Sequence, residues 1–215
     1  MRPPPPPVDH PHEPHSSHRR GNRFAAMAWS WQALVPPERQ WLGHGKQLQP
    51  LLEHTLDELE HFPPQPIATT AHGMATLSKR SNWRGADAAV WCRIAQRVLR
   101  LAPHFKPQEL ANIAWAFATA GRAPLTLFDS LAAEAAPRLP DFTPQNLANT
   151  VWAFAVVGYT SAALFNSLTT EAPTRLRDFK PQELANASNL PARSGKIVCR
   201  KLTNTLGHEP KTCKH

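Results

Sequence analysis

The sequence predicts an all-α fold: an α-solenoid of tandem 37-residue helix-turn-helix repeats, with a disordered N-terminal arm and a basic C-terminal tail. Three observations predict this class. The chain contains a gapless internal repeat, apolar residues recur at helical spacing within each copy, and proline and glycine stand where helices should begin and end. No run of 18 apolar residues occurs, so we expect no membrane-spanning helix.

The N-terminal third is dominated by proline and histidine. Residues 1–28 are predicted to be a disordered arm, because such a composition buries too little apolar surface to offset chain entropy. Residues 29–61 are predicted to be a partial helical segment. One amphipathic helix is expected there, ended by Pro63 and Pro64, because leucines recur at three- and four-residue steps: Leu48, Leu51, Leu52, Leu56 and Leu59.

The repeat array is predicted to span residues 62–186. Residues 105–141 read FKPQELANIAWAFATAGRAPLTLFDSLAAEAAPRLPD, and residues 142–178 read FTPQNLANTVWAFAVVGYTSAALFNSLTTEAPTRLRD; 20 of the 37 positions are identical. A truncated third copy, FKPQELAN, covers residues 179–186. Residues 62–104 form a degenerate copy, because Trp91, Ile94 and Val98 fall where Phe128, Leu131 and Ala135 fall one period later.

Each unit is predicted to form two helices. Pro107 and Pro144 suit the first position of a helix, Thr143 can cap one, and Gly121 and Gly158 suit the left-handed residue after its end. The second helix begins near Pro124 or Ser161. The apolar stripes predict a shared core made of Trp115, Phe117, Phe128, Leu131, Trp152, Phe154, Phe165 and Leu168.

The net charge of +8 favours a polyanionic partner. Residues 62–186 carry twelve Lys/Arg against eight Asp/Glu, and residues 187–215, the predicted basic and disordered tail, carry six against one. No phosphate-binding loop, His-Glu-x-x-His motif or nucleophile elbow occurs, so we expect no enzyme. The histidines and cysteines lack the paired spacing of zinc sites, so we expect neither a metal nor a cofactor.

The motif Phe-x-Pro-Gln-x-Leu-Ala-Asn-x-x-Trp-Ala-Phe-Ala-x-x-Gly occurs at residues 105–121 and again at 142–158. It resembles the octotricopeptide-type repeats of organellar proteins, which are similar in turn to the leucine-rich helical repeats of FAST-kinase-like proteins that end in a RAP domain. The resemblance implies binding of single-stranded RNA, either transcripts or ribosomal RNA of the mitochondrion or chloroplast, in processing, stability or translation.

Departures from that family predict a truncated member or a fragment of an array. Only two copies are complete, and the repeat register is lost after Asn186 with no RAP domain following. Two alternatives to RNA binding therefore stay open. The repeats could be a protein-protein interaction scaffold, because helical solenoids also present surfaces to peptides, or the chain could be a gene-model fragment without independent function.

Candidate RNA-binding residues fall into three groups. The repeated amides offer a donor and an acceptor to base edges, although they could equally bridge repeats: Asn112, Asn149 and Asn186. Positions that vary between copies suit discrimination between bases: Glu109, Asn146, Thr150, Arg122 and Tyr159. Basic residues at helix ends or in turns could contact phosphates or complement the helix dipole: Arg138, Arg175, Lys106, Arg177 and Lys180.

Overall fold

The structure is a computed structural model that describes residues 16–33, 45–81, 83 and 86–179. Within these ranges it is helical and has no strand, which confirms the all-α class. The helices are α1 (Ser16–Ala33), α2 (Gly45–Glu58), α3 (Pro64–Ser81), α4 (Ala88–Leu101), α5 (Pro107–Thr119), α6 (Leu125–Ala135), α7 (Pro144–Val157) and α8 (Ala162–Thr174). The even-numbered helices are followed by 3₁₀ turns at Leu59–His61, Ala102–His104, Ala136–Asp141 and Leu176–Asp178.

The helices pack in two rows that alternate along the chain. In the odd row, α1 packs against α3, α3 against α5, and α5 against α7. In the even row, α6 contacts both α4 and α8. Contacts between α3 and α4, and between α5 and α6, join the two rows. One side of each odd helix therefore faces the even row, and the opposite side is left as an outer face.

The helix ends follow the proline, threonine and glycine signals of the sequence. Pro107 and Pro144 are the first residues of α5 and α7. The hydroxyl of Thr143 accepts a hydrogen bond from the backbone N–H of Asn146 at 3.2 Å. Gly121 and Gly158 adopt positive φ angles of 64° and 73°. The predicted first helix of each complete copy is therefore confirmed, because α5 and α7 each begin at the proline and end within two residues of the glycine.

The core occupies equivalent positions in successive units. Phe62, Phe105 and Phe142 precede the odd helices and are buried, and each even helix also carries buried apolar residues. The degenerate copy uses the expected register, because Trp91, Ile94 and Val98 are buried in α4 as their counterparts are in α6. Of the predicted core, the buried members are Phe117, Phe128, Leu131, Phe154, Phe165 and Leu168.

An arginine near the end of each unit binds the unit's first phenylalanine. The guanidinium of Arg138 donates a hydrogen bond to the carbonyl oxygen of Phe105 at 2.7 Å, and that of Arg175 to Phe142 at 2.6 Å. Arg97 donates likewise to Phe62 at 3.1 Å. Each guanidinium satisfies the carbonyl of a residue whose side chain is buried, so these arginines close the unit.

Helix α1 differs from the expectation of an arm extending to residue 28. It begins at Ser16, and its stripe of Phe24, Met27, Ala28 and Trp31 is buried at the contact with α3. The four residues follow a helical spacing that the prolines and histidines before them obscured. The indole N–H of Trp31 donates to the hydroxyl of Thr55 on α2 at 3.0 Å. The first helical pair is thus tied together through a buried hydrogen bond.

Gly73 allows α1 and α3 to approach each other closely. A Cβ atom added at this position would lie 2.8 Å from the Cβ of Trp31 and 3.1 Å from its carbonyl carbon. We expect Gly73→Ala to lower the free energy of unfolding by about 1–3 kcal/mol through overpacking. An exposed helical glycine would instead gain about 1 kcal/mol from the same change. Urea denaturation followed by circular dichroism shows whether the free energy of unfolding falls or rises. A stabilised variant would contradict the close packing.

No helix in the described ranges is long and apolar enough to cross a membrane. Several sequence-based predictions lie outside those ranges: residues 1–15 of the arm, the third copy beyond Phe179, and the basic tail at residues 187–215.

Candidate nucleic-acid interface

A polar and aromatic surface runs along the outer side of α3, α5 and α7. Every member is exposed or half-buried. Steps of four, three and four residues place the members on one side of each helix. We call this surface the polar-aromatic face; it comprises Gln65, Thr69, His72 and Thr76 of α3, Gln108, Asn112, Trp115 and Thr119 of α5, and Gln145, Asn149, Trp152 and Val156 of α7.

Aromatic rings form a column across the middle of this face. The ring centroids of His72 and Trp115 are 4.7 Å apart with an interplanar angle of 31°, and those of Trp115 and Trp152 are 6.3 Å apart at 32°. Both tryptophans were predicted to belong to the core, but they are only half-buried. The reason is that alanines fill the tight contacts between odd helices, which leaves the indoles at the margin of the apolar stripe.

Burial lowers the pKa of His72 below its ordinary value of 6.5, because partial desolvation disfavours the imidazolium. The ring is therefore neutral at neutral pH. Since the unfolded chain then binds the proton more readily than the folded chain, the stability contributed by His72 is present above pH 6.5 and is lost as the pH falls towards the lowered pKa.

We expect His72→Phe to weaken the loss of stability in acid, because the aromatic contact with Trp115 is retained and the titrating group is removed. Melting temperatures at about pH 7.5 and about pH 5 bracket the ordinary pKa of histidine. The drop between them should be smaller in the variant than in the unaltered chain. His104→Gln, which changes an exposed histidine, serves as the control. An equal drop in melting temperature in both variants would contradict the assignment of this loss of stability to His72.

Two clefts open near the polar-aromatic face. The Trp29 cleft, of about 380 Å³, is lined by Ala25, Ala28, Trp29, Gln65, Pro66, Thr69, His72, Gln108, Asn112 and Gln145. The Lys79 cleft, of about 620 Å³, lies at the other end of the odd helices and is lined by Ser78, Lys79, Trp83, Ala86, Asp87, Trp91, Ala118, Thr119, Ala120, Arg122, Trp152 and Val156. Amides therefore lie near the start of α3, α5 and α7, and cations near the end of α3 and beyond α5.

Charge is divided unevenly between the two rows. The only carboxylate in the sequences of α1, α3, α5 and α7 is that of Glu109. It is buried and accepts a hydrogen bond from the backbone N–H of Lys106 at 2.8 Å. The even helices α2, α6 and α8 hold acidic residues. A polyanion approaching the odd row would therefore meet few negative charges that repel it.

Three candidates chosen for their variation between copies are buried, and a fourth is held by contacts with the protein itself. Glu109, Asn146 and Thr150 are buried in α5 and α7. The hydroxyl of Tyr159 donates to the carboxylate of Asp129, and its ring packs against Phe128 and Phe154. Glu109, Asn146 and Thr150 therefore support the helical packing, because variation between copies also occurs where neighbouring helices touch. Tyr159 is half-buried, and its contacts with the protein compete with stacking on a base.

The remaining candidates divide by environment. Asn112 and Asn149 lie half-buried on the polar-aromatic face, where an amide is accessible to a ligand. Arg122, Lys106 and Arg177 are exposed. The internal hydrogen bonds of Arg138 and Arg175 compete with any phosphate contact. Lys180 and Asn186 lie outside the described residues.

Sequence reasoning missed the contribution of α3 to this face. The motif Phe-x-Pro-Gln occurs at residues 62–65, as it does at the start of both complete copies. Counting forwards from that phenylalanine places His72 at the position of Trp115 and Trp152. Counting backwards from residue 105 by 37 residues hid this match, because the upstream unit spans 43 residues between its first phenylalanine and the next.

The described residues contain no group of three or more His, Cys, Asp or Glu side chains that could hold a metal ion. Comparison of the whole chain with protein-family models finds no match, and comparison with curated proteins finds no significant similarity.

Proposed function

We propose that this chain binds single-stranded RNA across the polar-aromatic face, and that its helical pairs form a short α-solenoid. The observation that carries the proposal is the aromatic column flanked by amides on three consecutive odd helices. Bases stack on aromatic rings regardless of sequence, and amides offer donors and acceptors to their edges. The succession of contacts α1–α3–α5–α7 supports the solenoid, because each odd helix meets the next one along the chain.

The electrostatic part of the proposal rests on the ends of the odd helices. Lys79 and Arg122 line the Lys79 cleft and are exposed. Neither side chain forms an ion pair within the described ranges, so both are available to phosphates. Asp87 also lines this cleft, but one of its oxygens accepts a hydrogen bond from the backbone N–H of Val90. We therefore assign the phosphate contacts to the two cations.

The resemblance of the repeat to octotricopeptide-type proteins supports a more specific proposal. We propose an organellar transcript or ribosomal RNA as the ligand, in the mitochondrion or chloroplast. The role would be to bind and protect or present the RNA during processing, stabilisation or translation. The chain would supply binding without catalysis, because its proposed surface consists of amides, rings and cations.

A filter-binding titration with single-stranded RNA at about 50 mM and about 200 mM salt tests the proposal. We expect binding that weakens with salt, because phosphate contacts release counterions. Absence of binding at the lower salt concentration would overturn it. Binding without any dependence on salt would remove the role assigned to Lys79 and Arg122.

Two arginine substitutions separate a phosphate contact from a structural one. Arg122→Gln should reduce the slope of log affinity against log salt by about 0.7, as expected for one phosphate of a single strand, and leave stability within about 0.5 kcal/mol. Arg138→Met should leave the slope unchanged and lower the free energy of unfolding by about 1.5–3 kcal/mol, because it removes a hydrogen bond between a charged group and the Phe105 carbonyl. The reverse pattern would contradict both assignments.

A protein partner is the second candidate, and one observation favours it. The described residues that line the Trp29 cleft are uncharged, and Trp29 is exposed, as tryptophans that anchor protein interfaces often are. The same titration distinguishes the candidates, since a peptide-binding surface would retain no RNA at low salt.

A further inference from the structure

We infer that the Trp29 cleft is a subsite for one unpaired adenine base of the bound RNA. The inference rests on the proposed function. It adds which base of the RNA is bound and which cleft binds it. It is drawn from the size of the cleft, from its two aromatic rings and from the chemistry of its polar lining.

The size of the cleft fits a single base. Its volume of about 380 Å³ lies at the lower end of the range of small-molecule sites. Trp29 lies on its rim with 65% of its surface exposed, although most large apolar side chains of the described residues are buried. An indole that is open on one side offers a flat face to a planar ring.

The aromatic lining connects this cleft to the aromatic column. His72 lines the cleft from α3 and also contacts the ring of Trp115. A base held near Trp29 and His72 would therefore lie at the His72 end of the aromatic column, which continues through Trp115 to Trp152. An RNA strand crossing the odd row could place one base in the cleft and following bases along the column.

The polar lining selects the base. None of the residues that line the cleft within the described part of the chain is charged, and four of them bear amides: Gln65, Gln108, Asn112 and Gln145. An amide pairs its donor and acceptor with the acceptor and donor on the edge of adenine, whereas guanine is recognised most often by arginine or lysine. Adenine is consequently the base that the lining suits best.

Fluorescence anisotropy with labelled oligonucleotides tests the inference on the full-length chain. The two probes are an oligouridylate and the same oligouridylate with one central adenosine. We expect the adenosine-containing probe to bind about tenfold more tightly, the advantage expected of one well-formed amide–base pair. A single strand can slide until its adenosine enters the cleft, so the position of the label does not decide the result.

Three variants test whether the tighter binding of the adenosine-containing probe depends on the cleft. Trp29→Ala should abolish the preference for adenosine, and Gln108→Leu should reduce it while the oligouridylate still binds. Leu125→Ala alters a side chain that is equally exposed, at 65%, but lies on α6, and it should leave the preference intact. Because Trp29 and Gln108 are exposed, circular dichroism should show both variants folded.

The outcomes separate this inference from the proposed function. Equal binding of the two probes, or a preference that survives in both Trp29→Ala and Gln108→Leu, overturns the adenine subsite and leaves RNA binding in place. Failure of both probes to bind at low salt overturns RNA binding itself and the subsite with it.

Discussion

Replacement of Phe128 by alanine is expected to lower the free energy of unfolding by about 3–5 kcal/mol, the usual cost of emptying a buried phenylalanine site. The side chain is fully buried in α6. Its ring lies 5.0 Å from that of Phe154 in an edge-to-face contact and 6.3 Å from that of Tyr159. The substitution would therefore leave a cavity between two successive units and weaken both of them.

Urea denaturation of Phe128→Ala and of Leu125→Ala makes a matched pair. Leu125 lies three residues earlier in the same helix and is 65% exposed, so its truncation should change stability by no more than about 0.5 kcal/mol. If the domain has less than about 3 kcal/mol of stability, Phe128→Ala should show no cooperative transition at all. Equal stabilities of the two variants would contradict the packing of successive units described above.

Replacement of Trp115 by leucine is expected to reduce affinity for single-stranded RNA by about fivefold to 150-fold, which corresponds to the roughly 1–3 kcal/mol of one base–aromatic stack. Trp115 lies in the middle of the aromatic column, with His72 on one side and Trp152 on the other. Leucine preserves much of the apolar contact with the helix below it but offers no flat ring. The combined Trp115→Leu and Trp152→Leu variant should lose more than either single one.

The control for this prediction is Trp115→Phe, which keeps an aromatic face and should retain most of the affinity. Stability must be measured in parallel, because the indole is half-buried and packs against the core. If Trp115→Leu is folded and binds RNA as tightly as the unaltered chain, the column is not the binding surface. Loss of affinity that follows loss of stability in all variants would give the same conclusion.

The helical framework could be predicted from local signals. Proline at residues 107 and 144 and glycine at residues 121 and 158 mark the ends of α5 and α7 within two residues. The 37-residue period also gives the right register for the degenerate copy, since the buried positions of α4 and α6 coincide. These features depend on neighbouring residues of one helix, and the sequence contains that information directly.

The candidate site was harder to predict, because it depends on how helices approach one another. Glu109 and Thr150 look like surface positions in sequence, but the contact between successive odd helices buries them. Trp115 looks like a core position, but the contact through small alanines leaves it at the margin. Arg138 lies 33 residues after the carbonyl group that it binds, a separation that no helical pattern reveals.

The sequence alone determined the helices of the repeated units, where they end and which aliphatic side chains of the even row are buried, since these follow from dihedral preferences and from the helical period. The tertiary structure alone decided which side of the odd row stays open, that His72, Trp115 and Trp152 form one column, and that Arg97, Arg138 and Arg175 are engaged internally. The physical reason is that side chains on an amphipathic helix have fixed directions relative to its own axis, whereas their burial depends on the distance and orientation of the next helix.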